Sequence, residues 1–210
     1  LPASLCNLPA LVYLSFQHTQ GLTGRIPNCF GTMQPELLWF LFQENRFSGE
    51  IPDSLCTAES LSVLYLYYIP HLSGTIPACL GGLLKLEDLE LFSTALTGTI
   101  PEALFCNPSP EFKYLYLNNN HLQGTVPAVC QGGLPKLEFL GLANNHYTGT
   151  ISPTLCTLKN LENLYLYRNL FTGSLPPCLG ELLNIEDLEI DQNNFTGGNR
   201  TVLAMSRVQK

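Results

Sequence analysis

The chain has 210 residues, with 17 acidic against 10 basic side chains and a net charge of −7. That balance excludes a nucleic-acid binder, which needs a basic stripe, and suits a basic peptide or protein partner instead. Hydrophobic residues make up 45% of the chain, enough for a continuous core, yet no apolar run reaches the roughly 18 residues of a membrane span.

In chain order, one phrase returns eight times: an apolar residue, any residue, then Gly, usually followed by x-Ile-Pro. It first reads Leu22-Thr23-Gly24-Arg25-Ile26-Pro27 and returns at Gly49, Gly74, Gly98, Gly124, Gly149, Gly173 and Gly197. The spacings are 25, 25, 24, 26, 25, 24 and 24 residues. A fixed period of this size predicts a solenoid whose units bury their apolar faces only against one another. The array is expected over 1–197, with a partial first unit at 1–7 and eight strand-bearing units after it. Residues 198–210 leave the pattern as a tail or degenerate cap. The chain opens at Leu1-Pro2-Ala3-Ser4-Leu5-Cys6, in the middle of a repeat, so it reads as a mature fragment or a piece of a longer array, any signal or anchor lying outside it.

Within a unit, Leu164 and Leu166 alternate with Tyr165 and Tyr167, the period of a strand with one buried and one open face. Asn169 follows, able to turn its amide onto the backbone of the bend. Asn45, Asn120, Asn145 and Asn193 hold the same slot, predicting a ladder. Pro70 and Thr94 stand in Asn slots, Ser152 replaces a Pro, and the bends over 17–21 and 67–71 each carry one extra residue. Apolar residues spaced by three, such as Leu155, Leu158 and Leu161, suit a short helical or 3₁₀ return.

The pattern Leu-x-x-Leu-x-Leu-x-x-Asn-x-Leu-x-Gly-x-Ile-Pro resembles the leucine-rich repeat family in its plant-type subclass, over essentially residues 1 to 197. The resemblance implies an α/β solenoid, a curved right-handed superhelix of about eight repeats. Short parallel strands would line its concave side, where ligands are recognised. It further implies a receptor ectodomain or, as the alternative, an inhibitor of secreted glycosidases of the polygalacturonase-inhibitor kind.

The cysteines, one per unit, are Cys6, Cys29, Cys56, Cys79, Cys106, Cys130, Cys156 and Cys178. They shift from side to side of the apolar slot that follows each Pro, with Cys130 in the slot itself. Stacked turns lie roughly 5 Å apart, inside disulfide reach. Stapling of neighbouring units, 6–29, 56–79, 106–130 and 156–178, uses all eight. Buried free thiols and a shifted pairing (29–56, 79–106, 130–156) are the other arrangements. Disulfides, together with the sequons at Asn194 and Asn199, point to an extracellular or cell-surface location.

Facing the concave side in chain order are Tyr13 and Ser15; Trp39 and Leu41; Tyr65, Tyr67 and Tyr68; Asp88, Glu90 and Phe92; Tyr114 and Tyr116; Phe139; Tyr165 and Tyr167; and Asp187, Glu189 and Asp191. Exposed aromatics in such number mark an interaction surface, and Tyr and Trp give rigid contact area with a polar handle. Single tyrosines can instead pack across a sheet. Acid with tyrosine fits a basic, extended peptide or a protein loop, and an oligosaccharide is the other occupant such rings suit. No cofactor or metal is expected: His71, His121 and His146 share a column but lack a carboxylate or Cys to complete a site. Asp88 with Glu90, and Asp187 with Glu189, resemble catalytic carboxylate pairs. An open sheet, however, is expected to lack the apolar enclosure that raises a general acid's pKa, and no nucleophile motif appears. An enzyme is therefore not expected. Finally, Thr75, Thr99, Thr125, Thr150 and Ser174 follow successive glycines. Such a hydroxyl row could match an ice lattice, although β-branched residues also simply suit a short strand.

Overall fold

A computed structural model describes residues 1–196 apart from Gln20, residues 33–35 and Asn107. The expected tail over 198–210, the last repeated glycine Gly197 and the sequon at Asn199 lie outside the described residues. Each repeat contributes one strand to a long sheet: β1 (Tyr13–Ser15), β3 (Trp39–Leu41), β5 (Val63–Tyr65), β7 (Asp88–Glu90), β8 (Tyr114–Tyr116), β10 (Phe139–Gly141), β12 (Asn163–Tyr165) and β14 (Asp187–Glu189). The eight strands pair in parallel in sequence order, and each central apolar residue sits opposite the next, as with Leu64↔Leu89 and Leu89↔Leu115. After every bend but the fourth a second short strand forms among the described residues: β2 (Thr23–Arg25), β4 (Arg46–Gly49), β6 (His71–Leu72), β9 (Gln123–Gly124), β11 (His146–Tyr147), β13 (Thr172–Gly173) and β15 (Asn194–Phe195). These pair as β2-β4-β6, β9-β11 and β13-β15. Among the described residues six returns are helical: 3₁₀ at Ala3–Asn7, Asp53–Thr57, Ala78–Gly82, Pro153–Thr157 and Pro177–Glu181, and an α-helical turn, α1, at Ala103–Cys106.

The core is a single spine. Leu64, Leu89, Leu115, Leu140 and Leu164 from the long strands meet Leu55, Leu80, Leu104, Leu155 and Leu179 from the returns, all buried. Each such side chain contributes roughly 1.5–3 kcal/mol by leaving water. Phenylalanine replaces leucine near one end, where Phe40 stacks on Phe42 at 4.1 Å and Phe30 meets Phe40 edge-on at 5.2 Å.

The bends are held by the asparagines. Asn145 Nδ2 donates to the Leu117 and Leu142 carbonyls at 2.9 and 3.1 Å, while its Oδ1 accepts the Leu122 amide at 3.0 Å. Asn120 and Asn169 repeat this, each taking an amide from the repeat before. The two longer bends break the rule in a way their geometry explains. In each, the extra residue lets the bend close on itself: the Leu22 amide bonds to Thr19 O and the Leu72 amide to Ile69 O. No amide is then left for the next repeat. Accordingly, Asn45 Oδ1 has no partner, and the slot facing the other long bend holds Thr94 instead of Asn. The register also corrects one assignment. Ile69, buried and bridged to Thr94, occupies the ladder position, and Pro70 is the inserted residue.

The repeated glycine has two causes. Gly98 and Gly149 adopt φ of +79° and +77°, which L side chains avoid. A Cβ there would also lie 2.9 and 2.8 Å from the Cγ2 methyls of Thr75 and Thr125 in the preceding repeat. The threonine row is therefore packed methyl-first onto the glycine row. On the return side, disulfides join Cys6–Cys29, Cys56–Cys79, Cys106–Cys130 and Cys156–Cys178, with Cα separations of 5.8, 5.6, 4.7 and 5.8 Å.

Candidate ligand-binding face

Alternation along the long strands turns two residues of each outward, and parallel in-register pairing aligns them in rows. On the open face the aromatic side chains make a continuous ribbon. Tyr65 meets Tyr67 at 5.7 Å, Tyr67 stacks on Phe92 at 4.5 Å, and Phe92 reaches Tyr116 at 6.1 Å. Tyr116 stacks on Phe139 at 3.9 Å, Phe139 meets Tyr165 edge-on at 5.1 Å, and Tyr165 leads to Tyr167 at 6.4 Å. Tyr68 packs edge-on against Phe92 and stays half-exposed. Its φ of +50°, unusual for a bulky residue, recurs at the residue before every ladder position, including Glu44, Ser93, Asn144 and Arg168.

One expected contact residue lies elsewhere. Phe139 is buried, only 9% exposed, and serves as the floor between Tyr116 and Tyr165. The cause is Gly141, which leaves its outward position empty. A Cβ at Gly141 would sit 2.8 Å from the Phe139 ring and 2.4 Å from Asn118 Nδ2. A glycine inside a strand is the signal that such a close approach is present. Tyr13 and Trp39 form a separate exposed pair at 5.5 Å, bordered by exposed Val12 and Leu38. Asp191 is exposed.

Acid is set into the ribbon. Glu90 lies in register between Tyr65 and Tyr116, and Tyr65 donates its hydroxyl to Asp88 Oδ2 at 2.6 Å. Burial pushes the Glu90 carboxyl up to about 8, with help from Asp88. Burial likewise raises Asp88 to about 6, against the lowering effect of the Tyr65 hydrogen bond. The aromatic walls thus supply the enclosure that an open sheet was expected to lack. In the last two strands Tyr165 donates to Asp187 Oδ2 at 2.8 Å, and Glu189 is raised by burial and by its neighbours Asp187 and Asp191. Tyr114 donates to Glu138 Oε2 at 2.7 Å, a partner that the column reading did not include. Lys113 pairs with Glu87 at 2.6 Å along the row's border.

Elsewhere, His121 and His146 approach at 5.9 Å. Glu102, Cys106 and Cys130 converge, but both sulfurs belong to one disulfide and hold no free thiolate for a metal. The sequon residue Asn194 is exposed in β15.

Comparison with known proteins adds context. A family model described as Leucine Rich Repeat matches residues 111–132 and 160–182. No curated protein sequence matches the chain. Among solved structures, the ectodomain of the Arabidopsis thaliana membrane receptor kinase GASSHO1/SCHENGEN3, in complex with CASPARIAN STRIP INTEGRITY FACTOR 2, is similar. It shows 33% identity and a TM-score of 0.89 over 98% of this chain and 24% of that one. The Arabidopsis receptor kinase HAESA, in complex with the peptide hormone IDA and the co-receptor SERK1, matches at 29% identity and a TM-score of 0.81, over 94% of this chain and 36% of that one. A plant ice-binding protein matches at 26% and 0.73, over 93% of this chain and 69% of that one. The chain thus spans between about a quarter and a third of the length of the receptor ectodomains it resembles. The architecture shared with all three is the leucine-rich repeat solenoid.

Proposed function

We propose, from the premise that the chain belongs to the plant-type leucine-rich repeat family, that it is an extracellular recognition module. It takes a peptide or protein ligand across the open face of the long sheet and performs no chemistry of its own. The observation that carries this reading is the unbroken aromatic ribbon from Tyr65 to Tyr167, with carboxyl groups set into it. Two similar receptor kinases were solved in complex with a bound factor, in one of them a peptide hormone, which supports a receptor-like role over the glycosidase-inhibitor alternative. Four disulfides and the exposed sequon at Asn194 suit an oxidising, secretory route. The array is read as running over 1–197, with 198–210 as a tail.

The acid in the ribbon favours a basic ligand. Below about pH 5, Asp88 and Glu90 are both largely protonated and attract a cation weakly; by pH 8.5 both are largely charged. The test uses basic peptides selected from a random linear library on the intact protein. Changing Tyr65, Tyr67, Tyr165 and Tyr167 together to Ala is expected to weaken their binding about a hundredfold or more, since aromatic anchors carry much of such interfaces. Circular dichroism should remain unchanged. Undiminished binding by the quadruple variant would exclude the sheet face.

A second reading rests on the other edge of the repeat. Thr75, Thr99, Thr125, Thr150 and Ser174 form an exposed row beside the glycines, and one similar structure is a plant ice-binding protein. Thermal hysteresis in a freezing assay, lost on changing Thr99 and Thr125 to Lys, would support it.

A further inference from the structure

The sheet face carries one arrangement twice. In β5 and β7, Tyr65 stands in register with Glu90 and donates its hydroxyl to Asp88. In β12 and β14, Tyr165 stands in register with Glu189 and donates its hydroxyl to Asp187. A second tyrosine flanks each first one, Tyr67 at 5.7 Å and Tyr167 at 6.4 Å. The pair Tyr114 and Glu138 is not a third copy, because the strand position opposite Tyr116 is Gly141 and offers no carboxylate.

Among the described residues no ion pair joins a cation to either station. Lys113 is paired with Glu87, Lys136 with Glu111 and His18 with Glu44, and none of them with Asp88, Glu90, Asp187 or Glu189. Asp88 Oδ1 is buried from solvent and has no hydrogen-bond partner. Between the stations the rings of Phe92, Tyr116, Phe139 and Tyr165 continue without a gap. A ligand engaging both stations would therefore lie over a continuous aromatic floor.

Strands β7 and β14 are four steps apart in the sheet order, about 19 Å at roughly 4.8 Å per step. An extended peptide rises about 3.3 Å per residue, so this distance spans about six residues. An even number also returns side chains to the same side of the peptide. Arginine suits each station, since its planar fork can bridge carboxylate oxygens while its face lies on a tyrosine ring. We propose that the face holds one extended peptide crossing the strands, through two cationic side chains about six residues apart, one at each Tyr–Asp–Glu station. The proposal rests on the peptide-recognition reading and specifies its ligand.

The test uses synthetic extended peptides carrying two arginines separated by two, four, six, eight or ten positions, with a single-arginine control, titrated calorimetrically into the intact protein. Affinity should peak near a separation of six, about tenfold or more above the single-arginine peptide, as expected when a second contact becomes intramolecular. In the variant with Asp187→Asn and Glu189→Gln, and equally in that with Asp88→Asn and Glu90→Gln, the peak should collapse to the single-arginine level, with circular dichroism unchanged. Affinity that grows with arginine number regardless of separation would overturn the proposal. The peptides selected from the random library separate this failure from that of the broader reading. If they need Tyr65 and Tyr167 but carry no spaced cations, the paired stations are wrong and the recognition face stands. If they bind the tyrosine variant equally well, the recognition face itself is wrong.

Discussion

The two edges of each repeat are written in different ways. Along the bends one residue type recurs in most coils: Asn at the ladder, Gly at the left-handed turn, Thr or Ser after it from the third coil on. Across the sheet face the rows are mixed, for example Tyr65, Glu90, Tyr116, Gly141, Tyr165, Glu189. The bends are uniform because each residue there is satisfied by the equivalent residue of the next coil. Asn145 completes the backbone of the repeat before it, and Thr125 fills the space beside Gly149. Nothing within the protein imposes such uniformity on the outward sheet positions, which leaves them open to selection by a partner. Uniform rows therefore mark framework, and mixed rows mark recognition.

Breaking the framework should give the largest effects. Asn145→Ala removes a buried amide that serves Leu122 N–H and the Leu117, Leu142 and Ala143 carbonyls. It should cost about 3 kcal/mol in chemical denaturation, since each orphaned buried group costs roughly 1–3 kcal/mol. Asn45→Ala tests the ladder's logic, because its Oδ1 already lacks a partner. Its loss should be smaller by about 1 kcal/mol. Equal costs would show that the acceptor half of the ladder contributes nothing.

An intermediate effect belongs to the sheet face. The folded-state pKa values of Glu90 and Asp88 are raised, so their contribution to stability is fully present below the ordinary carboxylate range. It is lost as pH rises through about 6 and then about 8. Thermal melts of the wild type against Glu90→Gln should converge in acid and separate toward pH 8.5, the variant becoming the more stable. The smallest effect lies in the core. The Tyr147 hydroxyl is buried without a partner, so Tyr147→Phe should raise stability by about 1 kcal/mol.

The sequence made the period and the strand positions legible, because each depends on spacing alone, whereas it left the cysteine pairing open between adjacent and shifted partners, and the structure joins adjacent ones. It did not reveal that Ile69, rather than Pro70, takes the ladder position, since a one-residue insertion can be placed at either. Nor did it show that Phe139 is buried between Tyr116 and Tyr165. That follows from the missing side chain at Gly141, two residues away on the same strand. The shifts at Asp88 and Glu90 were hidden for a similar reason: the rings that enclose them come from repeats on both sides. The left-handed residue before each ladder position carries no common residue type, with His, Glu, Tyr, Ser, Asn, Arg and Gln all present. Only the glycine that follows later in the bend was visible.

The most direct test of a cation-receiving sheet face is a carboxyl-carbon NMR titration of Asp88 and Glu90, run on the free protein and with a two-arginine peptide bound. The free protein should titrate near 6 and 8 at these two groups, and both midpoints should fall when the peptide binds. Ordinary carboxylate midpoints in the free protein, or midpoints unmoved by the peptide, would contradict the account.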